Sequence, residues 1–414
     1  MKFLFRSLLL ALLLSSCARG PANTGAITLR FMDAPDIGGA WAQLIDRFEA
    51  AHADIHIELI EGPASTNARE EIYTEAFLSG EPIFDLVYMD IIWLAQFAHS
   101  GWLRSLIPYI EEDALEEFLP GDVAGCKYQD ELYAVPMRSD TSVLYYRKDL
   151  LEEAGFPPPA GLHELVTVAK SLQVLPFQWG YVFQGAQDEG LVCNFFELLW
   201  GMGGDLNLDG GEIVLNTPEA VEALRWQQNL IHLHKISPPG VTKYHEEETR
   251  HMFHEGRAVF MHNWPYAWIL AQKPDSPVRG KVGILPLLQR ADKESPPVLG
   301  GWRFGISALS EHPEEAWEFI RFATSAESQK LFHFANGAIP TRRALFEDPE
   351  ILLESPHYSA LYPALLKAHA RPMHPKYAQV SGVLQRHLHR ALVSGEDPQK
   401  VLKAAEAELL STLD

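Results

Sequence analysis

Residues 83–90 read IFDLVYMD, a short and nearly continuous apolar run that leads straight into the helical IIWLAQF. A strand apolar on both sides is buried on both sides, which requires a sheet layered between helices. The segments before it follow the same plan. AITLRFMD (26–33) reads as a strand, and GGAWAQLIDRFEAAHA as an amphipathic helix with Trp41, Leu44, Ile45 and Phe48 on one face. DIHIELIEG alternates as a second strand, and REEIYTEAFLSG is helical up to Gly80. Alternating strands and helices predict an α/β fold with mainly parallel sheets flanked by helices.

At 414 residues the chain exceeds one ordinary core, so two domains are expected. The stretch LYAVPMRSDTSVLYYRKDLLEEAGFPPP (132–159) predicts a strand, a Pro-containing turn, a second strand and a helix. A crossing between domains is placed there, at 136–140. Residues 141–280 build a second unit, in which a fresh helix begins near Leu162. KVGILPLL and VLGGWRFGIS then read as strands, and 312–336 as one long helix.

The first residues, MKFLFRSLLLALLLSSC, have Lys2 and Arg6 before an apolar run too short for a stable membrane span, which marks a secretory signal. Its end, Leu14-Ser15-Ser16-Cys17, looks like the lipobox of bacterial lipoproteins, which implies lipidation at Cys17. Residues 18–25 form a short tether. The net charge of −21 argues against nucleic acid and against electrostatic docking on an anionic membrane. Cys126 and Cys193 are too few for a disulfide framework and are expected as unpaired small hydrophobes, although an oxidising compartment would allow them to pair.

Catalytic signatures are missing: there is no Gly-x-Ser-x-Gly elbow and no P-loop, and GMGGDL is only a broken dinucleotide loop. The histidine pairs His232/His234, His251/His254 and His387/His389 lack a companion Glu or Cys at ligand spacing, so no metal is expected. Asp205, Asn207, Asp209 and Gly210 imitate the start of an EF-hand loop, but Asn216 stands where its Glu should be, and EIVLN suggests a hairpin.

Charged groups of alternating sign fall at successive strand ends. Asp90 closes the buried run, and is either a ligand group or the N-cap of the next helix. Arg138 and Asp140 lie at the presumed crossover, and Asp36 and Arg69 in turns after the first two strands. Within MHNWPYAWIL (261–270), Trp264 falls at a strand-to-helix junction, with Pro265 in the first turn of the helix. Trp302 follows the pair Gly300-Gly301, which allows close backbone approach. Both are expected as exposed aromatic planes, whereas Trp226 and Trp268 sit at helical spacing and are assigned to core. Aromatic planes flanked by Asp and Arg suit a sugar, whose C–H faces pack on rings while its hydroxyls bond to the charged groups.

The lipobox, FDLVYMDIIWLAQFAHSGWL, LYAVPMRSDTSVLYYRKDLLEEAG, NWPYAW and LGGWRFGIS together resemble the substrate-binding lipoproteins of carbohydrate ABC importers, most closely their trehalose/maltose-binding branch. The resemblance covers essentially the whole mature chain. It implies a two-lobed periplasmic-binding-protein fold of type II, with crossovers near 136–140, 282–287 and 330–336. Residues 1–16 are then a signal peptide and 17–25 a lipid-anchored tether. Residues 26–136 and 287–333 form the N-terminal lobe, and 137–286 and 334–414 the C-terminal lobe. The family's sugar contacts carry over to Arg69, Asp90, Asp140, Trp264, Tyr266, Gly301, Trp302 and Arg371. Two positions depart: Asp36 is only a plausible substitute for a Glu, and Arg138 replaces an aromatic. The implied protein is a monomer without cofactor. It captures a small glycoside and delivers it to permease subunits with their ATPase at the outer face of the bacterial cytoplasmic membrane. The alternative is a lipid-anchored glycosidase with Asp90 and Asp140 as its carboxylates. Neighbouring arginines are expected to keep both acids ionised, which would suit a general acid poorly.

Overall fold

The computed structural model describes residues 26–36, 38–208, 213–287 and 296–413. The signal segment, Cys17 and the tether, together with Asp209 and Gly210, lie outside the described residues. Two layered units are built on separate sheets. In the first, β1 (Ile27–Asp33) and β2 (Ile55–Glu61) run parallel in full register from Ile27↔Ile55 to Asp33↔Glu61. β3 (Leu86–Asp90) lies alongside β1, where the buried Tyr73 hydroxyl bonds Met32 N and O, both at 2.9 Å. A small hairpin, β4 (Lys127–Tyr128) with β5 (Glu131–Leu132), precedes β6 (Val135–Thr141).

The second sheet holds β7 (Val143–Arg147), β8 (Trp179–Val182), β9 (Ala258–Asn263) and β10 (Val282–Leu285), in the order β10-β7-β9-β8. The chain then returns as β11 (Val298–Ile306), which pairs antiparallel with both β3 and β6. β12 (Ile339–Pro340) joins β6, and β13 (His369–Ala370) runs parallel to β11. The sheets are therefore mixed where the sequence suggested mainly parallel ones. β11 enters the first sheet from the second unit and runs against β3 and β6.

The pairing puts the first change of sheet at Ser142, just after the 136–140 stretch read from the sequence, because β6 stays in the first ladder through Thr141. The second lies between β10 and β11. Residues 330–336, expected as a third crossing, belong to the helix Ala326–Asn336, and β12 just beyond still pairs with β6. The single long helix read over 312–336 is two helices, Pro313–Ala323 and Ala326–Asn336. Ser325 starts the second by accepting from Ser328 N at 3.3 Å, the side-chain cap that favours Ser at this position. Residues 213–217 are not in strand, and the turn of the expected EIVLN hairpin lies outside the described residues. Cys126 and Cys193 are both buried free thiols.

Aromatic packing fixes the strand ends of the first unit. Phe31, Trp41, Tyr88, Phe304 and Phe319 meet mostly edge-on, with Phe31 and Trp41 centroids 5.0 Å apart and Phe31 and Phe304 5.4 Å apart. Such pairs add to area burial and hold ring orientation. Among the described residues no helix is long and apolar enough to cross a membrane.

Candidate ligand-binding cleft

Three strands of the first sheet deliver side chains to one place. Register sets Trp302 of β11 opposite Asp90 of β3 on one side and Arg138 of β6 on the other. The Trp302 ring stacks on Tyr88 at 5.2 Å and meets Trp93 edge-on at 5.5 Å. Arg69 and Arg138 cover it with guanidinium carbons 4.5 and 5.4 Å from the ring centre. Trp302 is consequently only 5 % exposed, which corrects the expectation of an open aromatic plane. A residue in the middle of a central strand has neighbours on both sides, and here both are filled.

Gly301, just before it, has φ +113°, and a Cβ there would lie 2.6 Å from the Arg138 carbonyl oxygen. Only glycine fits this left-handed backbone so close to β6. A Cβ on Gly300 would stand 3.3 Å from Asp140 Cβ and 3.5 Å from the Trp264 ring. Gly300 thus leaves room for Trp264, which follows β9 of the second sheet, beside β11 of the first. Trp264 is half-buried, and its carbonyl accepts from Tyr145 at 2.8 Å. Tyr266 begins the next helix and donates to Glu247 Oε1 at 2.6 Å.

The charged residues divide by partner. Arg69 is not in a turn. It lies inside the helix Thr66–Ser79, buried, and donates through Nη1 to the carbonyls of Pro63 and Ala64 at 2.7 and 2.8 Å. Its Nε stands 4.0 Å from Asp33 Oδ1, the acid that ends β1. Asp36 instead accepts from Ala40 N and Ala42 N at 2.9 and 3.1 Å, binding the start of the helix Ala40–Ala51. Asp33, missed in the sequence, is the acid at this strand end that faces Arg69. Asp90 proves both a cap and a charged partner: it accepts from Ile92 N at 3.1 Å and from Arg371 Nη2 at 3.5 Å. Asp140 has Arg138 Nε at 3.6 Å. Burial nevertheless pushes its carboxyl up to about 6, with Asp90 adding and Arg138 opposing. Desolvation thus outweighs the ion pair in setting the direction of the shift, while a carboxyl at about 6 remains mostly ionised at neutral pH.

Arg371 connects the two units. Its Nη1 donates to Glu189 Oε1 at 2.6 Å, on the helix Glu189–Met202, while Nη2 reaches Asp90. Glu189 also accepts from Tyr377 at 2.8 Å and from Ser381, and burial raises its pKa against the pull of Arg371. Glu70 is pushed up to about 8, by burial first and then by Glu189 and Asp90. Sequence reasoning missed Glu70 and Glu189. The only signal for Glu70 was adjacency to Arg69, and for Glu189 its place at a helix start. Further bonds cross between the units at Ser65–Asp188 (3.2 Å) and Asn67–Gln385 (3.2 Å).

The remaining candidates have other roles. Trp226 and Trp268, assigned to core, are only half-buried; Trp268 lies against His357 at 4.7 Å. His232 and His389 bond to carbonyl oxygens and His387 to Glu408. Among the described residues no group of three or more His, Cys, Asp or Glu is placed to hold a metal.

Two lobes on separate sheets, joined by crossovers and enclosing aromatic, acidic and guanidinium groups, define a two-lobed binding protein of the type II periplasmic class. The chain belongs to the bacterial extracellular solute-binding protein family, whose model matches residues 34–330. It is 34% identical to a probable ABC transporter-binding protein of Deinococcus radiodurans, over 85% of this chain and 86% of the relative. A maltotriose-binding protein of Pyrococcus abyssi is 26% identical over 78% of this chain and 69% of its own. The solved structure of maltose-bound T. maritima MalE3 superposes with TM-score 0.89 at 37% identity, covering 93% of this chain and all of that one.

Proposed function

We propose that the protein is an extracytoplasmic lipoprotein that captures a small glycoside between its lobes and delivers it to an ABC permease with its ATPase. The observation that carries this reading is the half-buried Trp264 ring set beside Gly300 of β11, two residues before Trp302, at strand ends where Asp90, Asp140, Arg69, Arg138 and Arg371 also gather. Apolar ring faces beside fixed donors and acceptors suit a pyranose, which has one apolar face and a rim of hydroxyls. Maltose in the T. maritima relative and maltotriose in the name of the P. abyssi relative support a ligand of this chemistry. Trehalose, sucrose, maltose and glucosylglycerol are the ligands proposed, bound by residues 26–136 and 287–333 on one side and 137–286 and 334–414 on the other.

Titration calorimetry against those four sugars tests the reading; at least one should bind, and silence across the panel would count against it. Acylation at Cys17 predicts that the intact protein fractionates with membranes, and that Cys17→Ala is released or retains its signal segment. An N-terminus elsewhere, without lipid mass, would refute the anchor. The glycosidase alternative would use Asp90 and Asp140 as its carboxylates, and burial raises the Asp140 carboxyl in that direction. Incubation with maltose should nonetheless release no glucose, since the family's proteins bind and hand over their solute.

A further inference from the structure

Glu197, on the helix Glu189–Met202, is 5 % exposed and faces both passages between the sheets. Its Oε1 accepts from the Ser142 hydroxyl and from Val298 N at 3.3 Å. Ser142 is the residue between β6 and β7, and Val298 is the first of β11. One buried carboxylate therefore holds the outgoing and the returning strand.

Its other oxygen lies 2.9 Å from His262 Nε2, on β9. His262 Nδ1 is 2.6 Å from Gln184 Oε1. Gln184 Nε2 donates to the His262 carbonyl at 3.0 Å, and a carbonyl only accepts, so the orientation of this amide is fixed. Nδ1 must then donate, and a second proton must lie between Nε2 and the Glu197 carboxyl. Gln184 Nε2 also reaches Thr249 Oγ1 at 3.0 Å, which accepts in addition from Asn263 at 2.9 Å. Asn263 Oδ1 in turn accepts from Trp264 N at 2.8 Å. Every side chain in this series is buried, so a broken contact leaves a desolvated polar group without a partner.

We propose that Glu197 is a positioning residue for ligand capture: it ties both interlobe strands, through His262, Gln184, Thr249 and Asn263, to the strand end that carries Trp264. A ligand seated on Trp264 and the relation between the lobes are then coupled through one hydrogen-bonded series. The consequence for affinity rests on the reading of the cleft as a sugar site; the coupling itself does not.

Hydrogen exchange on the ligand-free full chain tests it. Glu197→Ala should speed exchange about tenfold at the 141–144 and 298–300 crossovers and at 260–264 together, leaving the helix Ala40–Ala51 unchanged. Ser142→Ala, a milder change, should raise the same regions about threefold. Glu197→Gln is the conservative rescue: its oxygen still accepts from Ser142 and Val298, and its amide donates to a neutral His262. It should stay close to wild type. Faster exchange at the crossovers with 260–264 unchanged in Ser142→Ala would overturn the proposal. So would an equal rise in the Ala40–Ala51 helix of that variant. Maltose affinity should fall about tenfold in Glu197→Ala and recover in Glu197→Gln. If wild type binds no sugar of the panel, the sugar reading falls, and the exchange pattern still decides the role of Glu197.

Discussion

Trp302 lies within a nine-residue strand with a paired neighbour on each side, whereas Trp264 follows a six-residue strand at the point where the chain turns into a helix. The first is closed in by Tyr88, Trp93, Arg69 and Arg138; the second is half-buried, held through its backbone by Asn263 and Tyr145. Ladder position accounts for the difference. A mid-strand side chain is flanked by the side chains of both adjacent strands, and one past a strand end is not. Two residues of the same type at one cleft thus divide the work: Trp302 builds the wall, and Trp264 presents a face.

The largest effect that distinguishes them is on stability. Trp302→Ala should cost about 3 kcal/mol or more of ligand-free stability, as large-to-small changes in packed sites do. Trp264→Ala should change the ligand-free melting temperature little, yet weaken sugar binding about tenfold or more through the lost apolar face. Thermal melts paired with calorimetry check both. Equal losses of stability would end the distinction between wall and face.

A second, smaller effect concerns the backbone between them. Gly301→Ala should cost about 1–3 kcal/mol, because φ +113° is strained for alanine and its Cβ would press on the Arg138 carbonyl. Gly300→Ala meets side-chain neighbours at 3.3 and 3.5 Å and no such backbone conflict, so it should be better tolerated. Chemical denaturation of the pair measures this, and the opposite order would move the strain away from Gly301.

Acids on the first lobe's side supply a third test. Glu70 is held near 8 in the folded chain against an ordinary 4.5. Between those values the folded state keeps a proton that the unfolded state has released, so stability falls as pH rises through that window. Glu70→Gln should therefore melt a few degrees above wild type beyond pH 8 and coincide with it below 4.5. Identical melts at both ends would mean that Glu70 is not desolvated between Glu189 and Asp90.

How legible these features were depended on the range of the cause. Strand and helix order followed from local periodicity: β1, β2 and β3 and the two helices between them fall close to where the pattern put them. The strand-end positions of Asp90 and Trp264 could be read because a strand end is itself a local signal. Burial of Trp302 could not, since Tyr88 and Arg69 arrive from distant parts of the chain. Glu189 was invisible for the same reason: its role depends on Arg371, Tyr377 and Ser381, far away in sequence. Asp33 and Asp36 show a finer limit. Asp33 ends β1 and Asp36 follows closely, and only the geometry of the helix start reveals that Asp36 is occupied there, leaving Asp33 to face Arg69.

The smallest effect expected is a change of preference at Arg138. Its guanidinium lies over Trp302 and 3.6 Å from Asp140, so it adds a fixed charge and a fork of donors where an aromatic would add a second stacking face. A site built from such groups favours a ligand rich in free hydroxyls at that end, and rejects one that leaves them unpaired. Compact glucosides of disaccharide size or smaller should therefore bind best, and maltodextrins beyond three units poorly. Arg138→Tyr exchanges the donors for a ring, and should shift preference toward maltose or trehalose over glucosylglycerol by about threefold to tenfold, the scale of one aromatic contact. The same change removes the charge that opposes the rise of the Asp140 carboxyl, so the pH range over which sugar affinity changes should move upward in the variant, above the value of about 6 that holds with Arg138 in place. Calorimetry with the three sugars at two pH values measures both. If the wild type already binds maltotetraose more tightly than any disaccharide, the polar fork does not limit the site, and Trp302 offers more face than its burial allows.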